Sequence, residues 1–169
     1  MTPERAFFVQ ARSDLEAAIR LEATRCDNCQ ILHALQMAVE KTAKGYAQRF
    51  GTFKTVHNAF STGFPRIRVA LLADSSVRRR MGLTQRTELS RVLRSVARTA
   101  TAVEALNPTV AGKTNPNCEY PWTDPGGTTH APARHRFGKA VGRVARLKLE
   151  RFLDHVLARE LRMKSLLAQ

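Results

Sequence analysis

Apolar residues recur at three- and four-residue intervals over most of the chain, a spacing that predicts helices rather than strands. A first helix is expected over residues 3 to about 24, because proline suits the first helical position. A second helix is expected to begin at Asn28, a capping residue, and to end at Gly51, which tolerates the left-handed conformation. The short link predicts an antiparallel pair, with buried faces formed by Phe8, Ala11, Leu15 and Ala18, and by Cys29, Leu32, Val39, Ala43, Tyr46 and Phe50.

The middle of the chain is interrupted by Gly63 and Pro65, so only a short helix is predicted there, over residues 67–73. A turn is predicted over residues 75–84, and a longer helix capped by Thr84 is predicted to follow. One face of that longer helix is apolar. The opposite face carries what we call the arginine ridge: Arg91, Arg94 and Arg98.

The last part of the chain combines a long irregular segment with a final helix. Residues 107–136 hold five of the seven prolines and three of the nine glycines, which predicts a long loop of functional interest. The final helix is predicted over residues 138–164, with an apolar face of Val141, Val144 and Ala145 and a basic face of Arg136, Lys139, Arg143 and Arg146. The sequence therefore predicts an all-α protein, an antiparallel four- to five-helix bundle forming one domain over residues 1–169.

The charge of the chain is strongly basic, with 28 Lys and Arg against 14 Asp and Glu and a net charge of +14. Residues 1–50 are nearly neutral, with seven basic and six acidic residues, so the excess lies in the rest of the chain. This pattern favours a nucleic acid as partner over an acidic protein or an incidental basic surface. No membrane segment is expected, and three cysteines do not form a disulfide framework, so a cytoplasmic location is predicted.

The long loop carries the candidate chemistry. Its aromatic and cationic side chains are of the kind that stack on bases and hold phosphates in unpaired RNA. Trp122 either stacks on a base or anchors the loop in the end of the bundle. If the protein cleaves RNA, His130 or His135 is the candidate acid or base, and Arg134 or Arg136 the phosphate ligand.

The first two predicted helices resemble those of HEPN domains (higher eukaryotes and prokaryotes nucleotide-binding). In that family a helix with the pattern A-x-x-D-L-x-A-A precedes a helix with the pattern A-x-E-K-x-x-K-A-Y/L. Residues 11–18 match the first pattern, and His57 in "KTVHNAF" resembles the histidine that opens the third helix of the family. The second pattern is matched by Ala38, Glu40, Lys41, Lys44 and Tyr46.

The resemblance implies a helical bundle that often forms a homodimer, with a cleft between the protomers. It also implies either a metal-independent ribonuclease of a toxin–antitoxin, CRISPR or phage-defence system, or a non-catalytic partner of a small nucleotidyltransferase. The nuclease members carry an arginine, four to six further residues and then a histidine. This chain lacks that spacing, and the nearest pairs each miss it by one residue: Arg151–His155, Arg25–His33 and Arg49–His57.

The motif residues Glu40, Lys41 and Lys44 are expected on the polar side of the second helix. Glu40 and Lys44 are four residues apart, and such a pair stabilises a helix by about 0.3 kcal/mol. Structural support is therefore the favoured interpretation. The alternative is that Lys41 and Lys44 face a phosphate across the cleft between protomers.

Cys26-x-x-Cys29 is a candidate metal site, because two thiolates and the imidazole of His33 are natural zinc ligands. A fourth ligand would have to come from Cys118 or His130. Because the chain has no second close-spaced ligand pair, buried free thiols are the favoured interpretation. No metal is expected, and the absence of a glycine-rich phosphate loop gives no reason to expect another cofactor.

Two functions from different classes follow from the sequence. The first is RNA or other nucleic-acid binding, with divergent ribonuclease activity as an open question, by a homodimeric HEPN-like protein of a defence or toxin–antitoxin system. The second is a non-catalytic subunit whose basic face docks an acidic protein such as a nucleotidyltransferase. The predicted nucleic-acid-binding residues are Trp122, the arginine ridge, Arg134, Arg136, Lys139, Arg143 and Arg146.

Overall fold

The computed structural model describes residues 1–51, 57–112, 114–163 and 166. These residues are mostly helical, with seven α-helices and one two-stranded ribbon, which confirms the all-α class. Among them, no helix is both long enough and apolar enough to span a bilayer. The helices are α1 (Pro3–Ala23), α2 (Asn28–Phe50), α3 (Ala59–Ala73), α4 (Ser75–Arg80), α5 (Arg86–Glu104), α6 (Pro108–Ala111) and α7 (Arg143–Leu161), and the strands are β1 (Trp122–Thr123) and β2 (Thr129–His130).

Helices α1 and α2 pack side by side in opposite directions, as the sequence predicts. Phe8, near the start of α1, meets Tyr46, near the end of α2, edge to face, with ring centroids 5.3 Å apart. Gly45 allows this close approach, because a Cβ atom added there would lie 2.6 Å from the Phe8 ring. Gly51 ends α2 with a φ of 64°, which is the predicted left-handed stop.

Two predicted helix caps are wrong by one residue. The cap of α2 is Asp27 rather than Asn28, which is the first helical residue. The cap of α5 is Gln85 rather than Thr84. The start of α5 is held by Glu88, whose carboxylate accepts hydrogen bonds from the backbone N–H groups of Thr84 at 2.9 Å and Gln85 at 2.8 Å. Glu88 therefore provides hydrogen-bond acceptors for two backbone donors at the start of α5.

Helix α3 is longer than the predicted helix over residues 67–73. Glu104, at the end of α5, accepts hydrogen bonds from the backbone N–H groups of Phe60 at 2.6 Å and Ser61 at 2.9 Å. Burial raises the pKa of Glu104. A carboxylate from another helix thus fixes the start of α3, and Pro65 lies inside this helix instead of interrupting it as predicted.

Helix α4 occupies part of the segment predicted as a turn. Asp74 caps it, and its Oδ1 accepts a hydrogen bond from the backbone N–H of Ser76 at 2.7 Å. The turn comes later, at Gly82, where φ is 66°. The sequence interpretation missed α4 because Asp74 was not recognised as a helix cap.

Helix α7 starts later than predicted, and its exposed and buried faces differ from the predicted ones. Gly142 has an extended backbone and caps the helix, after a separate 3₁₀ turn at Lys139–Val141. Extending one helical period across Gly142 gave the wrong faces. Val144, expected in the core, is 70% exposed, whereas Arg146, expected on the surface, is only 5% exposed. The predicted end at residue 164 lies outside the described residues.

The long loop is less irregular than predicted, because its described residues include the short helix α6, the β1–β2 ribbon and a 3₁₀ turn at Pro132–Arg134. Strands β1 and β2 pair antiparallel, with Trp122 opposite His130. Closer to the bundle, the thiol of Cys118 donates a hydrogen bond to Oε1 of Gln36 on α2 at 3.0 Å. The loop is therefore a folded part of the protein, and it places its side chains against α2.

Candidate active site and nucleic-acid interface

The loop brings both candidate histidines and both candidate arginines to one cavity, which we call the histidine cleft. Strand β2 supplies His130, and the 3₁₀ turn at Pro132–Arg134 reverses the chain so that His135 lies beside it. The two imidazole centroids are 6.1 Å apart, and the ring planes are 77° apart. The cleft has a volume of about 440 Å³ and is lined by Thr129, His130, Ala131, Arg134, His135 and Arg136.

Asp124 orients His130. It follows β1, and its Oδ2 accepts a hydrogen bond from Nε2–H of His130 at 2.9 Å. This bond is the main reason that the pKa of Asp124 lies below its ordinary value. The carboxylate is therefore ionised at neutral pH, and it favours the imidazole tautomer that leaves Nδ1 as the proton-accepting nitrogen. The sequence analysis missed Asp124, although the neighbouring Gly126-Gly127 pair is typical of a hairpin turn that returns the chain toward it.

His135 has a less polar environment than His130. Its ring meets Phe137 edge to face, with centroids 4.9 Å apart. Burial lowers the pKa of His135, and the neighbouring His130 lowers it further. Both effects disfavour the charged form. His135 therefore stays neutral at neutral pH, as a general base must.

Trp122 packs against both histidines. Its ring stacks on His130 with centroids 5.3 Å apart and planes 19° apart, and it meets His135 edge to face at 4.9 Å. Trp122 is only 4% exposed, so its ring is not available for a base to stack on. Of the two interpretations of this tryptophan, the structure supports the anchor, which fixes the positions of the two imidazoles.

Most of the predicted nucleic-acid-binding residues lie on the surface. Arg91, at the first turns of α5, lines a groove together with Lys148 and Arg151 of α7. These last two cations were missed, because the faces of α7 were assigned from the wrong start. Seven of the nine predicted residues are exposed: Arg91, Arg94, Arg98, Arg134, Arg136, Lys139 and Arg143.

Two of the nine predicted nucleic-acid-binding residues are buried, Trp122 and Arg146. Arg146 is held inside the protein by hydrogen bonds. Its Nη1 donates to the carbonyl oxygen of Val141 at 3.1 Å, and its Nη2 lies 2.8 Å from Oε2 of Glu22. The other carboxylate oxygen of Glu22 lies 3.0 Å from Nε of Arg143. One carboxylate of α1 thus fixes the first turns of α7, and Arg146 is not part of an open basic surface.

The HEPN-like motif residues form ion pairs inside the bundle. Glu40 is 5% exposed, so its expected place on the polar face is wrong. Its two oxygens lie 2.5 Å from Nζ of Lys44 and 3.2 Å from Nδ1 of His57. Lys41 lies 2.7 Å from Oδ2 of Asp14 on α1. Both lysines therefore have acidic partners within the chain, which supports the structural interpretation of the motif.

Tyr46, the last residue of the motif, is buried and serves the same packing role. Its hydroxyl donates a hydrogen bond to Oε1 of Glu160 on α7 at 2.7 Å, and burial raises the pKa of this tyrosine well above its ordinary value. Arg49, one turn further on, lies over the Tyr46 ring and also pairs with Glu160. The motif thus joins α2 to α1 and α7.

Of the three cysteines, Cys118 links the loop to α2. Ligand atoms of His33, Cys118 and Glu119 lie within 4.8 Å of one another, whereas Cys26 is outside this group. Burial raises the pKa of the Cys118 thiol to about 12, and burial also raises the pKa of Cys29. The Cys118 thiol donates to a glutamine, and Cys29 is buried as expected, whereas Cys26 is partly exposed.

Comparison with known proteins adds no relative: no family model, no curated protein and no solved structure matches the chain. The HEPN resemblance therefore remains a prediction from the motif residues. The function must be argued from the site.

Proposed function

We propose that this protein is an HEPN-like helical bundle that binds single-stranded RNA and cleaves it without a metal ion in the histidine cleft. One observation carries the proposal: two imidazoles in different environments line one cavity with Arg134 and Arg136. Acid–base cleavage of RNA needs one group that accepts a proton and another that donates one. It also needs cations for the charge that develops on the phosphate.

The two histidines suit different roles. His135 is kept neutral by burial and accepts the proton of the ribose 2′-hydroxyl. His130 donates a proton from Nδ1 to the leaving 5′-oxygen, because its Nε2–H is held by the carboxylate of Asp124 at 2.9 Å. As the 2′-oxygen–phosphorus bond forms, the phosphorus–5′-oxygen bond breaks. The products are a 2′,3′-cyclic phosphate and a 5′-hydroxyl, and one proton has entered and one has left the histidine pair.

The arginines supply binding and stabilisation of charge. Arg134 and Arg136 border the cleft, and guanidinium groups donate paired hydrogen bonds to phosphate oxygens. The exposed arginine ridge and the cations Lys148 and Arg151 provide further contacts for the RNA backbone. On the HEPN resemblance, the proposal includes a homodimer that acts in a defence or toxin–antitoxin system.

The test is cleavage of an internally labelled single-stranded RNA in the presence of EDTA. We expect His130→Ala and His135→Ala each to lower the cleavage rate by a factor of about 10² to 10⁴, the usual contribution of a general acid or base. Added imidazole should restore part of the activity of either variant. Thermal melting of each variant should match the wild type, because the change removes a partly exposed side chain.

His57→Ala is the matched control, since it removes the histidine that the HEPN resemblance places in the family motif. Its cleavage rate should stay near that of the wild type. A rate that falls in His57→Ala and not in the cleft variants would move the active site away from the histidine cleft. RNA binding that does not weaken as salt rises would contradict the nucleic-acid proposal and favour the acidic-protein partner.

A further inference from the structure

A second cavity, which we call the arginine cavity, lies next to the histidine cleft. It has a volume of about 810 Å³ and is bordered by the end of α1, the first turn of α2 and the segment that leads into α7. This volume is in the range of small-ligand sites. Arg136 lines both this cavity and the histidine cleft, so the two sites are neighbours.

The charge of the arginine cavity is positive. Four arginines line it, Arg25, Arg136, Arg143 and Arg146, and Glu22 is the one acidic residue of the lining. The formal charge of the lining is therefore +3. Glu22 is shared between Arg143 and Arg146, which leaves Arg25 and Arg136 without an ion pair among the described residues.

Two long helices begin at this cavity. Asn28 at the start of α2 and Arg143 at the start of α7 both line it. The side chain of Asp27 makes no hydrogen bond to α2, and Gly142, which precedes α7, has no side chain that could cap the helix. The exposed carboxylate of Asp27 does not line the cavity. The first backbone N–H groups and the positive ends of two helix dipoles thus add to the attraction for an anion.

Arg146 is held rigidly in the wall of the arginine cavity. Its side chain is almost fully buried, and both Nη atoms are held, one by Val141 and the other by Glu22. Its Nε is buried and has no hydrogen-bond partner in the described part of the chain. A buried donor without an acceptor is costly, by about 1–3 kcal/mol. Arg146 therefore contributes a fixed positive charge to the wall of the arginine cavity.

The geometry points to a binding site for the terminal phosphate of an RNA chain. A terminal phosphate is a dianion with three free oxygens, which suits several guanidinium groups better than an internal phosphodiester with its single charge. Phosphate binding is independent of cleavage, but the assignment to an RNA terminus rests on the proposed function. The shared Arg136 means that a strand held by its end in this cavity continues into the histidine cleft.

The test uses short 2′-O-methyl RNA, which binds but cannot be cleaved through a 2′-hydroxyl. Three strands of one sequence carry a 5′-phosphate, a 3′-phosphate or no terminal phosphate. Affinities are measured by fluorescence anisotropy with an internal label and EDTA. We expect the 5′- or the 3′-phosphorylated strand to bind about tenfold more tightly than the strand without a phosphate, and the comparison identifies which end is bound.

The variant Arg25→Gln/Arg143→Gln should abolish this preference, so that all three strands bind it with the same affinity. Arg146 is left intact, because it packs in the interior. The control Arg5→Gln/Arg66→Gln removes the same charge from exposed positions of α1 and α3 and should keep the preference. Equal affinities for all three strands in the wild type, or a preference that survives Arg25→Gln/Arg143→Gln, would overturn the inference.

The failure of this inference can be told apart from failure of the proposed function. A phosphate preference in a protein that cleaves no RNA keeps the arginine cavity as a phosphate site and removes the cleavage proposal. Cleavage by a protein that binds all three strands equally does the reverse.

Discussion

At the scale of single residues, the proposed chemistry depends on two histidines whose surroundings differ. His130 faces the ionised carboxylate of Asp124, and His135 faces Phe137 and Trp122. Pairs of titratable groups in unequal environments are the usual basis for assigning an acid and a base. The same environments set a pH dependence that is measurable without any substrate.

His135 should titrate below its ordinary pKa of 6.5, because burial and the neighbouring His130 both disfavour its charged form. It thus stays neutral above pH 6.5, and the acidic limb of kcat/KM, which reports the base, should lie below that value. The lowered pKa of His135 also makes the free energy of unfolding depend on pH. The stability that neutral His135 contributes is fully present above pH 6.5. It is lost as the pH falls, because the unfolded chain binds the proton more readily.

The measurement is an NMR titration of the imidazole resonances. In His130→Gln the pKa of His135 should rise, since one positive neighbour is gone. It should not reach 6.5, because burial is the larger cause and remains. A pKa of His135 at or above 6.5 in the wild type would contradict its assignment as the base.

How far sequence predicted these residues depends on the distance between them along the chain. The two histidines and Arg134 and Arg136 were found because they lie within seven residues of one another. Asp124 was missed, because its contact with His130 exists only once β1 and β2 pair across the Gly126-Gly127 turn. The burial of Trp122 was left open, since an aromatic ring serves packing or stacking equally well on composition alone.

At the scale of helices, the α1–α2 pair is the best specified part of the fold. A strong amphipathic period, a capping region and Gly51 all agree there, and the observed bounds follow. Helices α3 and α4 and the start of α7 were misjudged where a contact from elsewhere decides. Glu104 and the start of α3 are far apart in the sequence, so no local pattern indicates their contact. Gly142 interrupts the helix, although the apolar spacing of the side chains continues across it.

Gly45 is the position where the α1–α2 pair tolerates least change. Gly45→Ala would gain about 1 kcal/mol of helix propensity. The added methyl would lie 2.6 Å from the ring of Phe8, which is itself buried. Overpacking of this kind costs about 1–3 kcal/mol. We expect a net loss of up to about 2 kcal/mol in the free energy of unfolding, measured by urea denaturation.

Two controls separate packing from general effects of the substitution. Gly138→Ala adds the same methyl where nothing lies within 4 Å, and it should change the free energy of unfolding by less than about 0.5 kcal/mol. Phe8→Leu combined with Gly45→Ala should recover part of the loss, as residues in contact do in a double-mutant cycle. Equal losses at Gly45 and Gly138 would refute the close packing of α1 on α2.

At the scale of the whole molecule, charge is the property that sequence predicted most directly, because it needs no contacts. The net charge of +14 appears on the surface as the arginine ridge, the rim of the histidine cleft and the lining of the arginine cavity. The sequence does not show which cations form ion pairs within the chain. Lys41, Lys44 and Arg146 are held by carboxylates of the chain itself, whereas the arginine ridge is exposed.

The arginine ridge should therefore account for part of the salt dependence of RNA binding. Each contact to a single strand contributes about 0.7 to the slope of log affinity against log salt concentration. Replacing Arg91, Arg94 and Arg98 by glutamine should make the slope shallower by about 2. The control variant Arg5→Gln/Arg20→Gln/Arg66→Gln has the same net charge and should keep nearly the full slope. Equal slopes for the two triple variants would show that net charge alone, and no defined face, binds the RNA.

The most direct test of the account compares one labelled single strand as RNA and as DNA, each incubated with the protein in EDTA and resolved on a denaturing gel with mass analysis of the product ends. The account predicts that the RNA is cut to 2′,3′-cyclic phosphate and 5′-hydroxyl ends, and that the DNA stays intact because it lacks the attacking 2′-hydroxyl. Intact RNA, cleaved DNA, or cleavage that appears only when a divalent metal is restored would contradict the metal-independent acid–base chemistry assigned to His130 and His135.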